Sequence, residues 1–125
     1  MADFQEVGKQ FIDFYYQTFD GGRPNLAALY RESSMLTFEG TPVMGVAAII
    51  EKLTNLPFEQ VQHRVDTSDC QPGDAEGKSI VVLVTGALMV DGQDRPMSFT
   101  QNFVLKNDGS WHVFNDMFRL VYPAA

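Results

Sequence analysis

The most regular pattern of apolar and polar positions lies near the end of the sequence, in residues 97–122. Two alternating segments, 98–106 and 111–122, flank the turn 107–110. The Asp-Gly pair in that turn provides the positive φ that a tight hairpin needs. Side chains alternate across a strand, and neither face of the second segment is purely polar. We therefore predict a long antiparallel hairpin that is covered on both sides, once by its own domain and once by another surface.

The alternation also predicts which side chains share a face. In the first segment one face carries Phe99, Gln101, Phe103 and Leu105. In the second segment one face carries His112, Phe114, Asp116, Phe118 and Leu120. Val113 and Met117 belong to the opposite face of the second segment.

Three segments show helical patterns. In 3–19 the apolar residues recur at three- and four-residue steps, Asp3 can cap the first turn and Glu6 suits a capping box. Asp-Gly-Gly at 20–22 should end this helix, with a glycine in the left-handed conformation. A short helix is expected at 25–30 after a proline. A third helix at 46–55 should end before Pro57.

The remaining apolar segments predict strands. A short strand is expected at 34–39, followed by an extended link at 41–45, and long strands at 59–71 and 78–90. Helices grouped before a curved antiparallel sheet indicate one α+β domain over residues 1–125, shaped as a cone with an apolar mouth. The other side of the sheet would be exposed and apolar unless two copies stack, so we predict a two-fold homodimer. Candidate interface residues are Met117, Val84 and Met89, together with Val82 and Val121.

Composition narrows the class of partner. The net charge of −7, from 16 acidic and 9 basic residues, argues against a nucleic-acid groove and favours a basic partner. The single cysteine, Cys70, excludes an intramolecular disulfide and fits a reducing compartment. No apolar run approaches the ~20 residues of a membrane span, and no secretory leader is visible. We expect no membrane insertion and a location in the cytosol or nucleus.

Few residues suggest catalysis. The sequence has no nucleophile motif and no glycine-rich phosphate loop, and its two histidines are too few to predict a metal site, so no cofactor is expected. His63 fits a partly buried, hydrogen-bonded histidine. Asp116 lies among Phe114 and Phe118, where an apolar environment would raise its pKa and suit a general acid or base. Alternatively, its carboxylate is tied to backbone N–H groups or to Arg119.

A second group of acids surrounds the proposed mouth. Glu39 follows a strand, and Asp91 and Asp94 flank the loop before the hairpin. The expected pocket is lined by Phe38, Leu56, Val61, Leu88, Met97 and Phe118. An apolar pocket ringed by acids would receive a protein segment with one aromatic residue flanked by Lys or Arg. The alternative is that the three acids are solvated loop residues.

Several blocks resemble the nuclear transport factor 2 family, over essentially the whole chain. They are residues 11–20 (FIDFYYQTFD), 36–40 (LTFEG), 49–63 (IIEKLTNLPFEQVQH) and 114–120 (FNDMFRL). The resemblance implies a homodimer with a cone-like fold. It also implies a non-enzymatic carrier that brings the GDP-bound GTPase Ran into the nucleus by binding Ran and Phe-x-Phe-Gly nucleoporin repeats. Such a carrier is expected in cytoplasm and nucleus, enriched at nuclear pores.

The resemblance also assigns roles to individual residues. Glu39, Asp91 and Asp94 would pair with Lys and Arg of the GTPase switch region, whose aromatic side chain enters the pocket beside Phe38. Phe4 matches an aromatic residue at the start of the helix that helps bind nucleoporin repeats. Met117 matches a methionine of the dimer interface. The alternative is an isomerase or dehydratase of the same fold, in which Asp116 and His63 act on a small apolar substrate.

Overall fold

A computed structural model of the chain describes residues 3–92 and 95–121. Within these residues, two α-helices, one 3-10 helix and six strands give the predicted α+β fold class. The elements are α1 (Phe4–Gly21), a 3-10 helix (Arg23–Leu29), β1 (Tyr30–Phe38), β2 (Thr41–Met44), α2 (Val46–Thr54), β3 (Val61–Pro72), β4 (Ser79–Val90), β5 (Met97–Asn107) and β6 (Trp111–Leu120). The second helix is thus a 3-10 helix, and the predicted link after β1 is a strand.

The six strands make one curled sheet in the order β2-β1-β6-β5-β4-β3. Neighbouring strands are antiparallel, apart from β1 and β6, which run parallel. The predicted hairpin is confirmed as β5–β6, and Gly109 in its turn has a φ of 118°. The parallel pair brings β1 beside the end of the chain, which places the turn after β1 next to the last strand.

The first helix begins as predicted and ends differently. The Asp3 side chain accepts a hydrogen bond from the backbone N–H of Gln5 at 3.0 Å, which caps the first turn. Glu6 accepts instead from the side chain of Gln10, four residues later. Gly22 ends the helix with a φ of 169°, which is extended backbone, so the predicted left-handed cap is wrong.

The helices cover one side of the sheet, which we call the inner face, and its buried side chains form the core. These include Tyr15 and Tyr16 of α1, whose rings pack edge-on against Phe103. The opposite side, which we call the outer face, carries exposed apolar residues: Val81, Leu83, Met89, Met117 and Val121.

The assignment of β4 to the dimer surface was partly wrong. Val82 and Val84 are both 0% exposed and belong to the inner face, whereas Val81 and Leu83 are 39% and 41% exposed. Both faces of this strand are apolar, so its alternation predicts two sets of side chains but not which set faces the helices. Val84 is therefore excluded as an interface residue.

A bulge in β6 changes the predicted faces of that strand. Val104 pairs with Asn115, but Leu105 pairs with Val113, which leaves Phe114 as an extra residue. Val113 is consequently buried on the inner face, although the alternation had placed it opposite Asp116. From Asn115 onward the prediction holds, since Asp116 and Phe118 are buried and Met117 is exposed.

Candidate functional site

An apolar cavity of about 260 Å³ lies between the inner face of the sheet and the helices. Its lining includes all six residues that the sequence predicted for the pocket: Phe38, Leu56, Val61, Leu88, Met97 and Phe118. They come from β1, the segment after α2, and β3 to β6. The fold thus brings distant parts of the chain around one hollow, and the role of these residues in binding stays a prediction.

Aromatic rings form one wall of this cavity. The rings of Phe38 and Phe118 stack with centroids 4.7 Å apart, and Phe118 lies 5.5 Å from Phe99. Met97 is 37% exposed and Phe118 only 5%, so Met97 lies at the mouth and Phe118 is deeper. A basic group is also present, because the Lys52 ammonium lies 5.8 Å from the centre of the Phe38 ring.

Glu39 lies beside the mouth, in the two-residue turn between β1 and β2. Its φ of 50° and the 87° of Gly40 fit a hairpin turn with both central residues in the left-handed region. Its backbone N–H donates to the carbonyl of Phe118, and its Oε1 accepts from the backbone N–H of Leu120. Leu120 lines the cavity. The structure therefore holds the Glu39 carboxylate against the backbone of a residue in the cavity wall.

Asp91 is placed differently. Its Oδ1 accepts hydrogen bonds from the backbone N–H groups of Glu59 and Gln60, both at 3.0 Å. It lines a neighbouring groove that shares residues 56–58 with the cavity, but it does not line the cavity itself. The predicted ring of acids is therefore less compact than expected, and Asp94 lies outside the described residues.

Glu39 and Asp91 nevertheless share one property. Among the described residues they are the two non-glycine residues with a positive φ, at 50° and 49°. Such backbone costs of the order of 1–3 kcal/mol and concentrates at functional sites. Both acids are thus held in unusual conformations near one end of the sheet.

The floor of the cavity is polar, and Asp116 is its centre. The Asp116 carboxylate accepts from Gln101 Nε2 at 2.7 Å, from the Tyr30 hydroxyl at 2.8 Å and from the Tyr15 hydroxyl at 3.2 Å. Burial raises its pKa to about 6, and these hydrogen bonds limit the rise. Burial and the Asp116 charge also raise the pKa of both tyrosines well above the usual value.

The structure decides between the two interpretations of Asp116 only in part. Its carboxylate is tied down, as the second interpretation required, but by side chains of α1, β1 and β5. Arg119 was predicted as a partner and is exposed, three residues further along the strand and on the outer face. Odd and even positions of this part of β6 face opposite sides, so Arg119 cannot reach Asp116.

The prediction for His63 is confirmed. Its side chain is 3% exposed, its Nδ1 lies 2.6 Å from Oδ1 of Asp20, and its ring packs against Tyr16 and Phe19. The Asp20 contact orients the ring, and His63 is one of the residues that line the cavity. Nδ1 donates to the Asp20 carboxylate, because a carboxylate can only accept.

Sequence reasoning missed several residues of the cavity. Tyr15, Phe19, Phe58 and Gln101 also line it. A signal existed for Gln101, a polar residue at an inward position between Phe99 and Phe103, because a buried polar group needs a partner. For Phe58, which follows Pro57 in a loop, the pattern offered no signal.

Phe4 lies at a separate groove of about 480 Å³. Val7 and Trp111 are on its wall, and the loop between β3 and β4 contributes Asp74 and Glu76. Phe4 is half-buried, so its ring packs on the core and still offers a surface. The two predicted binding regions are thus distinct, one at each end of the domain.

Two further observations concern the described residues alone. Within 3–92 and 95–121, no group of three or more His, Cys, Asp or Glu side chains could hold a metal ion. None of the described helices is long and apolar enough to cross a membrane.

The chain matches the Nuclear transport factor 2 (NTF2) domain over residues 7–120. It is 60% identical to nuclear transport factor 2 of Emericella nidulans, over 99% of this chain and 100% of that protein, and 55% identical to that of Davidiella tassiana, over 100% of both. The structure of nuclear transport factor 2 from Cryptosporidium parvum is similar, with a TM-score of 0.87 and 42% identity over 94% of each chain. The chain therefore belongs to the nuclear transport factor 2 family.

Proposed function

We propose that this chain is a nuclear import carrier that binds GDP-bound Ran and Phe-x-Phe-Gly repeats of nucleoporins, and that it works as a homodimer. Relatives that match over their full length are named as nuclear transport factors, which indicates a carrier rather than an enzyme. The observation that supports this proposal best is the apolar cavity of about 260 Å³, with Glu39 hydrogen-bonded to the backbone of Leu120 in its wall. Such a carrier moves between cytoplasm and nucleus through the nuclear pore.

The cavity suits one aromatic side chain of the GTPase switch region. A ring that enters between the Phe38–Phe118 wall and Leu88 leaves water completely, and aromatic anchors in desolvated pockets dominate binding energy at interfaces. Met97, partly exposed at the mouth, can pack against the entering chain. Affinity would therefore come from the walls of the cavity.

The acids would select the partner. Glu39 bonds through Oε1 and Asp91 through Oδ1, so the second oxygen of each carboxylate would pair with a Lys or Arg that flanks the aromatic residue. The net charge of −7 would steer a basic surface toward this end of the molecule. Asp94 is proposed as the third acid on the family resemblance.

The test is a charge reversal at the cavity wall. Glu39→Lys should weaken binding of Ran-GDP by about 30-fold or more, because it removes one ion pair and adds a repulsive charge. Glu76→Lys is the matched control, since it makes the same change of net charge in the β3–β4 loop at the far end of β4. Calorimetry would measure both affinities. Equal affinities for the two variants would disprove the proposed Ran site.

The groove at Phe4 is the proposed site for nucleoporin repeats. Phe4→Ala should weaken binding of a Phe-x-Phe-Gly peptide and leave Ran-GDP binding unchanged, because the groove and the cavity are separate. Fluorescence titration of both ligands would measure this. Parallel loss of both would show that the two sites are not independent.

The outer face is the proposed dimer interface. An exposed apolar patch that includes Leu83, Met89 and Met117 is typical of a surface that another chain covers. Met117→Glu should convert the dimer to single chains on a sizing column, because a carboxylate would be buried without a partner. If this variant elutes at the same volume as the wild type, the dimer interface does not include Met117.

A further inference from the structure

The floor of the cavity is polar, whereas a phenylalanine ring brings no hydrogen-bond donor for it. We propose that this floor binds a small neutral aromatic alcohol, with its ring between the apolar walls and its hydroxyl donated to Asp116 beside Nε2 of His63, and that such a ligand competes with the partner's aromatic side chain. The competition rests on the proposed function, whereas the binding site itself does not.

The floor offers an unused acceptor. A carboxylate has about four lone-pair positions, and Asp116 accepts three hydrogen bonds, one on Oδ1 and two on Oδ2. His63 provides a second polar position at Nε2, because its Nδ1 faces Asp20 and no hydrogen bond among the described residues involves Nε2. The side chains of both residues are more than nine-tenths buried, and both line the cavity.

The chemistry of the ligand follows from these groups. The vacant position on Asp116 accepts, so the ligand must bring a hydrogen-bond donor. A carboxylate would be repelled by Asp116, and a hydrocarbon would leave this acceptor without a partner, which is costly in a buried site. A cation would have to lose its hydration shell in an apolar cavity. A hydroxyl donates one proton, and its oxygen can accept the second N–H of Gln101 Nε2.

The size of the ligand follows from the volume. A dry apolar cavity of roughly 150 Å³ in another protein binds benzene. The present cavity of about 260 Å³ therefore has room for one six-membered ring with a hydroxyl. Two rings would need roughly 300 Å³ by the same measure, so a bound phenol and a partner's phenylalanine exclude each other.

Phenol and toluene are the matched probes, since they differ by one hydroxyl in place of a methyl group. Both are titrated into the full chain, and NMR chemical shifts of Leu88 and Leu56 methyl groups report occupancy of the cavity. Phenol should bind more tightly than toluene. Asp116→Asn should lower the affinity for phenol by about tenfold or more, which is the usual effect of losing a hydrogen bond to a charged group. Toluene binding should change less than threefold.

His63→Phe provides a second variant if Asp116→Asn does not fold, because it keeps a ring in contact with Tyr16 and Phe19 and removes Nε2. His63→Phe should also lower the affinity for phenol more than the affinity for toluene. Equal affinities of phenol and toluene for the wild type, or shifts confined to surface residues, would overturn the proposal.

Competition is measured separately, as the affinity for Ran-GDP with and without saturating phenol. A weaker apparent affinity supports a shared cavity. If phenol binds by NMR while Ran-GDP binds as tightly as before, the small-molecule site stands and the competition is refuted, together with entry of the partner's ring into the cavity.

Discussion

Val81 and Val82 are neighbours on β4 with the same side chain, yet the first is 39% exposed on the outer face and the second 0% exposed on the inner face. The inner face carries the aromatic core, the cavity and the buried Asp116. The outer face carries apolar residues that the described part of the chain leaves exposed. One strand therefore has a buried and an exposed apolar face, and the difference between them comes from what packs on each.

The two faces also handle charge differently. On the inner face Asp116 is buried, and hydrogen bonds from Gln101 and two tyrosines hold it. On the exposed edge strand β3, Arg64 Nε pairs with Asp66 Oδ1 at 2.8 Å in solvent, where such pairs contribute little to stability. Burial makes the charge of a carboxylate costly and raises its pKa, as at Asp116, whereas an exposed carboxylate keeps its hydration.

The largest expected difference between the faces comes from introducing a carboxylate at each of two adjacent positions of β4. Val84→Asp should lower the free energy of unfolding by more than about 4 kcal/mol, because it puts an unpaired charge into the core. Leu83→Asp, one residue earlier, should retain the native circular dichroism spectrum and elute as a single chain. Chemical denaturation and a sizing column measure these effects. Similar loss of structure in both would mean that the outer face is as essential to folding as the core.

A smaller effect concerns the pH dependence of Asp116. Its pKa is about 6 when folded and near the ordinary 3.8 when unfolded, so the folded state binds the proton more tightly. Its contribution to stability is therefore complete below pH 3.8 and is lost as the pH rises through 6. Relative to Asp116→Asn, the wild type should gain about 2.5 kcal/mol of unfolding free energy between pH 7 and pH 4.

Denaturation series at several pH values would measure that gain. Asp66 provides the opposite control, because its hydrogen bond with Arg64 lowers the pKa of the Asp66 carboxyl. Relative to Asp66→Asn, the wild type should lose stability as the pH falls. A pH-independent difference for Asp116→Asn would show that the carboxylate is hydrated in solution.

The smallest expected effect concerns the close approach of β3 to β4. A Cβ on Gly86 would collide with the backbone carbonyl of Arg64, next to the bulge between Val65 and Thr67. Gly86→Ala should therefore cost about 1–3 kcal/mol, since backbone must move. Gly21→Ala is the control, because nothing lies within 4 Å of its added Cβ. Thermal unfolding of both would measure the cost, and equal stability would mean that the strands separate freely.

Local signals in the sequence predicted most of the elements. Asp3 capped its helix, Gly109 took the positive φ of the hairpin turn, and the helical and alternating patterns located α1, α2 and the four long strands. These features depend on residues within a few positions of each other. The six apolar residues of the cavity were also named in advance, because each lies at or near the end of an apolar segment.

Other features depend on contacts between distant residues. The orientation of β4 could not be read from a strand with two apolar faces, and Phe114 gave no sign of the bulge that turns Val113 inward. The carboxylate of Asp91 caps the N–H groups of Glu59 and Gln60 about 30 residues away, so it stands apart from the cavity.

The sequence by itself therefore determined the elements, their order and the apolar character of the cavity, because helix caps, turns and periodicity are local. Only the tertiary structure decided which face of the sheet became core, what Glu39 and Asp91 bond to and how Asp116 was held. The hydrogen bond between Tyr15 and Asp116 joins residues 101 positions apart, and the packing of α1 on the sheet is what brings them together.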